Sequence, residues 1–127
     1  MIVDASALVA IVLREPGWDA LVEALSASPA GVGAPTLVEA GLVLTAKLGP
    51  GGRSLLARLV QEARIDVVPF TDEHWPIAIH AYARFGKGRH PAGLNFGDCL
   101  TYAVASLAGQ PLLYVGEDFA RTDLPRA

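Results

Sequence analysis

The chain has 127 residues, 52% of them hydrophobic and 18% charged, with ten Lys/Arg against thirteen Asp/Glu for a net charge of −3. That length holds one domain with a proper core, and so apolar a composition excludes disorder. The acidic balance excludes a general nucleic-acid binder held by bulk positive charge, so any nucleic acid must be gripped by a local patch.

Ile2-Val3 reads as a short apolar strand, and Ser6 is expected to cap a helix to about Leu13, with Leu8, Ile11 and Val12 at helical spacing. Glu15-Pro16-Gly17 breaks the chain before a helix from Trp18 to about Ala27, and Ala30–Ala34 is a brief strand ended by Pro35. Thr36-Leu-Val-Glu39 has capping-box spacing and opens a helix to about Leu48 whose face carries Leu37, Gly41, Leu44 and Leu48. Gly49-Pro50-Gly51-Gly52 is a connector, Leu55 to Ala63 mark the next helix, and Ile65–Phe70 is a strand. Thr71 caps a helix to Phe85 in which Pro76 is tolerated near the start. A Gly-rich loop, Gly86 to Leu94, precedes a helix capped by Asn95 with Leu100, Ala103, Val104 and Leu107 inward, and Pro111–Val115 is the last strand.

Alternating short strands and helices predict an α/β fold, a mainly parallel sheet flanked by helices, with residues 1–127 forming a single domain. The uncharged run from Cys99 to Gly116 is broken by Gly109-Gln110-Pro111, so it reads as a buried helix and strand and no membrane span is expected. A single cysteine, with no basic leader at the amino terminus, fits a cytoplasmic location.

Acidic residues recur where strands end or helices begin: Asp4, Glu39, Asp98 and the pair Glu117-Asp118. Taken singly, each has an ordinary explanation as a cap, a first-turn acid or a surface turn. In a parallel sheet, however, these junctions share one edge, where ligands bind beyond the carboxyl ends of the strands. Carboxylates gathered there repel one another unless a divalent cation neutralises them. The pattern therefore points to metal-dependent phosphoryl chemistry, in which a cation activates water for attack on phosphorus. Ser6 is a candidate support, orienting Asp4 or a water. No Ser/His/Asp or Cys/His nucleophile system stands out.

The same segments carry a resemblance. Met1-Ile-Val-Asp4-Ala-Ser6, Pro35-Thr-Leu-Val-Glu39, the run from Tyr82 through Asn95-Phe-Gly-Asp98-Cys99, and Leu112-Leu-Tyr-Val-Gly-Glu117-Asp118-Phe119 occur in the order found in PIN-domain ribonucleases. Over essentially the whole length the chain is similar to the VapC toxins of VapBC toxin–antitoxin pairs. The resemblance implies a PIN-like fold and a Mg²⁺-dependent (or Mn²⁺-dependent) endoribonuclease acting on tRNA or another structured RNA. It also implies a homodimer silenced by a cognate VapB-type antitoxin. By position Asp4 and Asp98 match the metal ligands, and Glu39 matches the second acid. The fourth acid falls on Asp118 or on Glu117, which stands where the family often carries Asp or Asn; Asp118 is favoured, with Glu117 in support. Two alternatives stay open: a PIN-type RNA-processing nuclease without antitoxin, and a catalytically inactive PIN-like scaffold that only binds a partner.

Arg84, Lys87, Arg89 and His90 concentrate positive charge near the third acid, suited to RNA phosphate or an acidic antitoxin segment. His74 and His80 are expected at the surface or boundary, Cys99 as a small buried hydrophobe, and Trp18 and Trp75 as packing or interface anchors.

Overall fold

The computed structural model describes residues 1–127. Four parallel strands lie in the order β3-β2-β1-β4, with β1 at Ile2–Val3, β2 at Ala30–Gly33, β3 at Ile65–Val68 and β4 at Leu112–Leu113. The helices are α1 (Ala5–Leu13), α2 (Trp18–Ala27), α3 (Ala34–Leu48), α4 (Pro50–Glu62), α5 (Trp75–Phe85) and α6 (Phe96–Ala108), and a 3-10 turn spans Phe119–Arg121. None of the helices is long and apolar enough to cross a membrane.

Successive strand residues point to opposite faces, and the two cores divide accordingly. Ile2 and Leu112 join α5 and α6 with Leu94, Val104 and Phe85. Val3 and Leu113 join α1 to α4 with Leu8, Leu44 and Val32. The register Ile2 to Leu112 and Val3 to Leu113 keeps each pair on its own side. At the edge, Leu112 receives the carboxyl-terminal tail: its N–H donates to Pro125 O and its carbonyl accepts from Ala127 N, both at 2.9 Å. That contact covers strand edge otherwise open to other chains.

Several local expectations give way to longer-range contacts. The cap of α1 is Asp4, whose side chain accepts from Ser6 N–H, so Ser6 itself is not the cap. α3 starts earlier than expected, at Ala34 behind Gly33, with Pro35 in its first turn. Thr36 is therefore inside the helix and caps nothing; its hydroxyl lies 3.0 Å from that of Thr101, with both residues buried. Pro50 to Gly52 form the first turn of α4 instead of a connector. α5 is preceded by His74 rather than capped by Thr71. His74 is buried, its Nδ1 accepting from Thr71 N–H at 3.0 Å and its ring stacked on Phe70, which corrects the surface assignment. Leu107 is exposed, and the strands expected at Ala30–Ala34, Ile65–Phe70 and Pro111–Val115 are shorter than their apolar runs. The capping box at Asn95 is present in full.

The Thr36–Thr101 pair ties α3 to α6 across the sheet edge. Thr101→Val leaves the Thr36 hydroxyl buried without a partner and is expected to cost about 1–3 kcal/mol. The Thr36→Val/Thr101→Val double variant should regain much of that loss, as read from urea midpoints.

Candidate active site

In this strand order β2 and β3 are laid down on one side of β1 and β4 on the other, so the switch point falls between β1 and β4, and the crevice outside their carboxyl ends is where such sheets bind ligands. Asp4 follows β1 directly into that crevice. Its N–H donates to Leu113 O at 2.9 Å, which fixes it against β4. It is only 5% exposed; Oδ2 accepts from Ser6 N–H at 3.1 Å, while Oδ1 is buried with no partner. A buried carboxylate oxygen left bare is costly, and such an atom calls for a donor or a cation.

Asp98 comes from the first turn of α6. Its Oδ2 accepts from Asn95 N–H at 3.1 Å while its own N–H donates to Asn95 Oδ1 at 2.9 Å. Burial pushes its pKa up to about 6; the Asn95 N–H pulls the other way, and the charges of Asp4, Asp118 and Glu39 add to the rise. Glu39, from the second turn of α3, is also raised, by burial first and then by Asp4. Asp98 thus feels acids from three other places, Asp4 just after β1, Glu39 on α3 and Asp118 in the segment after β4, and Glu39 also feels Asp4. No three His, Cys, Asp or Glu side chains close into a metal shell.

Glu117 and Asp118 are both exposed, and Asp118 is the one whose charge reaches Asp98. Ser6 turns its hydroxyl to Val115, accepting that N–H at 3.0 Å, and so pins the start of the segment carrying Asp118. The basic loop is ordered by its own bonds: Lys87 N–H to Leu94 O, Leu94 N–H to Phe85 O, and Ala92 N–H to His90 Nδ1. Arg84 is already engaged, 3.2 Å from Asp123 and over the Phe85 ring, and Asp123 also accepts from Tyr102 OH at 2.6 Å. Arg89 lies over Tyr82, and Lys87 is exposed with no ion pair.

Two features here escape sequence reading. One is an open apolar groove of about 870 Å³ beside Glu39, walled by Pro35, Val38, Leu42, Phe70, Trp75 and Phe96. A second cavity of about 680 Å³ lies at the amino ends of the strands, around Met1, Pro29 and Gln110, away from these acids. The other feature is the closeness of Gly97 to Glu39. The signal available for the groove was α3's run of apolar residues outside its inner face, Val38, Leu42 and Val43.

The acid geometry carries a pH signature. An acid with a folded pKa above its unfolded 3.8 loses stability as pH climbs from there through about 6. Asp98→Asn keeps an acceptor for Asn95 N–H and removes that charge. In chelator-containing buffer the variant should be the more stable near pH 7 by about 1 kcal/mol, allowing for solvent screening of a partly exposed group, with the difference vanishing below about pH 4. Denaturation curves across that range check the sign.

The PIN domain family profile matches residues 1–124. A VapC ribonuclease of Mycobacterium bovis and Ribonuclease VapC36 of Mycobacterium tuberculosis are each 51% identical over 127 residues, spanning 98% of this chain and 91% of the relative. Ribonuclease VapC of Mycolicibacterium smegmatis is 42% identical over 126 residues, spanning 98% and 97%. The crystal structure of Mycobacterium tuberculosis VapC20, a Sarcin-Ricin loop cleaving toxin, superposes with a TM-score of 0.81 at 15% identity, covering 99% of this chain and 97% of that one, a likeness of fold. With both its fold and its sequence matched end to end, the chain belongs to the VapC family of PIN-domain ribonucleases.

Proposed function

We propose that this chain is a metal-dependent endoribonuclease, the toxin of a toxin–antitoxin pair, hydrolysing phosphodiester bonds in structured RNA such as tRNA. The observation that carries the reading is the bare, buried Oδ1 of Asp4, set at the sheet's switch point among three other carboxylates. All-oxygen donors of this kind suit Mg²⁺ or Mn²⁺. Asp4 and Asp98 would hold the ion, with Glu39 and Asp118 contributing directly or through water. When bound, the cation supplies charge neutralisation and activates water for attack on phosphorus.

The chain's own groups do the remainder. Ser6 holds the Val115 amide and with it the segment bearing Asp118. Lys87 and Arg89, on an ordered loop beside α6, offer cations to phosphate in a protein whose net charge otherwise repels it. Arg84, paired with Asp123, ties the end of α5 to the carboxyl-terminal segment and is less free than Lys87 to meet substrate.

Partner binding falls on the apolar face. Val38, Leu42, Trp75, Ile79 and Phe96 stand exposed together on α3, α5 and the start of α6, Phe96 at 79%. So much contiguous apolar surface, the walls of the groove beside Glu39 included, suits a homodimer, and a VapB-type antitoxin would meet what that dimer leaves open at the acid site.

Asp98→Asn should lower RNA cleavage by at least about a hundredfold, the upper end of what loss of an outer-shell partner costs. A chelator should stop the wild type and Mn²⁺ restore it. Cut sites mapped across total RNA after brief induction should vanish in Asp4→Ala; cleavage by Asp98→Asn at the parent rate would sink the assignment. Leu42→Glu is expected to convert dimer to monomer by light scattering, and an unchanged mass would remove that face from the dimer.

A further inference from the structure

We infer that Gly97 is a positioning residue for Glu39: its bare Cα in the first turn of α6 is the seat against which the Glu39 carboxylate rests beside Asp98. The inference deepens the acid-site reading above and rests on it. It assigns a role to a residue with no functional group of its own.

A Cβ built on Gly97 would stand 2.8 Å from Glu39 Cδ and 3.1 Å from Oε1, with Oε2 closer still. Its three nearest neighbours all belong to Glu39. The backbone does not demand glycine here, because Gly97 is helical and absent from the positive-φ positions. Helix propensity argues against it as well, since Ala is the better helix former. What remains to account for the missing side chain is the carboxylate lying on it.

Gly52, in the first turn of α4, also lacks a positive φ, but a Cβ there would strike the backbone carbonyl of Leu44. That glycine serves helix packing, and the fold cannot yield around it. Gly97 meets only the far end of a flexible side chain, which can swing aside. Adding a methyl should therefore spare the fold and displace the acid. The displaced group is the one that shares a wall with the apolar groove, where Gly97 and Phe96 also lie.

The test uses the full chain carrying Gly97→Ala. In chelator, its Tm should equal or exceed that of the parent, whereas a collapse matching Gly52→Ala would make Gly97 a packing glycine and overturn the inference. In the metal-free protein, the ¹³C shift of the Glu39 carboxyl should move; an unmoved resonance overturns the inference whatever the metal result. Calorimetry with Mn²⁺ should show affinity weakened about tenfold, partly recovered in Gly97→Ala/Glu39→Asp, whose shorter acid clears the methyl. Equal Mn²⁺ affinity in parent and Gly97→Ala also overturns it. A parent that binds no Mn²⁺ defeats the acid-site reading, while the carboxyl resonance still decides what Gly97 does.

Discussion

Like charges forced together at one sheet edge set the terms for the rest of this molecule. Asp4 is buried after the strand it follows, Glu39 and Asp98 are brought near it by two other segments, and Asp118 reaches Asp98 from a third. The fold offers partial relief. Asp4 and Asp98 sit at the amino ends of α1 and α6, where the helix dipole favours negative charge by roughly 0.3–1 kcal/mol. Asp98 also takes a backbone N–H from Asn95. These favourable contacts lose to burial and mutual repulsion, because the Asp98 pKa still settles at about 6. The remaining imbalance is electrostatic and of one sign, so a cation removes it more completely than any rearrangement of neutral groups.

Holding such a cluster requires α3 and α6 to approach closely, and small residues line their meeting. A Cβ on Gly33 would come within 3.0 Å of Val104 Cγ2. Thr36 and Thr101 share a buried hydrogen bond, and Gly97 lies under Glu39. Each substitutes small size or a hydroxyl pair for bulk, so that the two helices bring Glu39 and Asp98 together without separating them by side chains. Packing and electrostatics therefore oppose each other along one seam: the same closeness that sets Val104 against Gly33 and buries the threonine pair concentrates the negative charge.

The parts legible in the sequence are those with local causes. The alternation of strands and helices, the break at Glu15-Pro16-Gly17 and the cap at Asn95 depend on residues a few positions apart, and all are present. The convergence of the acids followed from parallel topology alone. Thr36 shows where this fails. Thr36-x-x-Glu39 has the spacing of a cap, yet Gly33 and Pro35 start the helix earlier, and both residues turn to partners on α6. His74 fails similarly, being buried through Phe70 and the Thr71 amide instead of by helical periodicity. Pairings across some sixty residues leave no mark in a short window, and the groove beside Glu39 is assembled from three such segments.

The groove and the acid site share Glu39 as a common wall, so a protein seated in the groove would alter the surroundings of an acid without any conformational switch. A partner that buries Trp75 and Phe96 necessarily closes one side of the crevice and lowers the local dielectric around a carboxylate already disfavoured as an anion. A basic group delivered by that partner would offset the cluster's charge as a metal does, and would compete with it for the same oxygens. If the chain cleaves RNA as proposed, the substrate meets the opposite problem: it would bring more negative charge to an acidic edge, and Lys87 and Arg89 at the rim, with neutralisation within, would have to offset it. On that proposal, one excess of negative charge would make the site receptive to a cationic partner and closed to a polyanionic substrate until the acids are compensated.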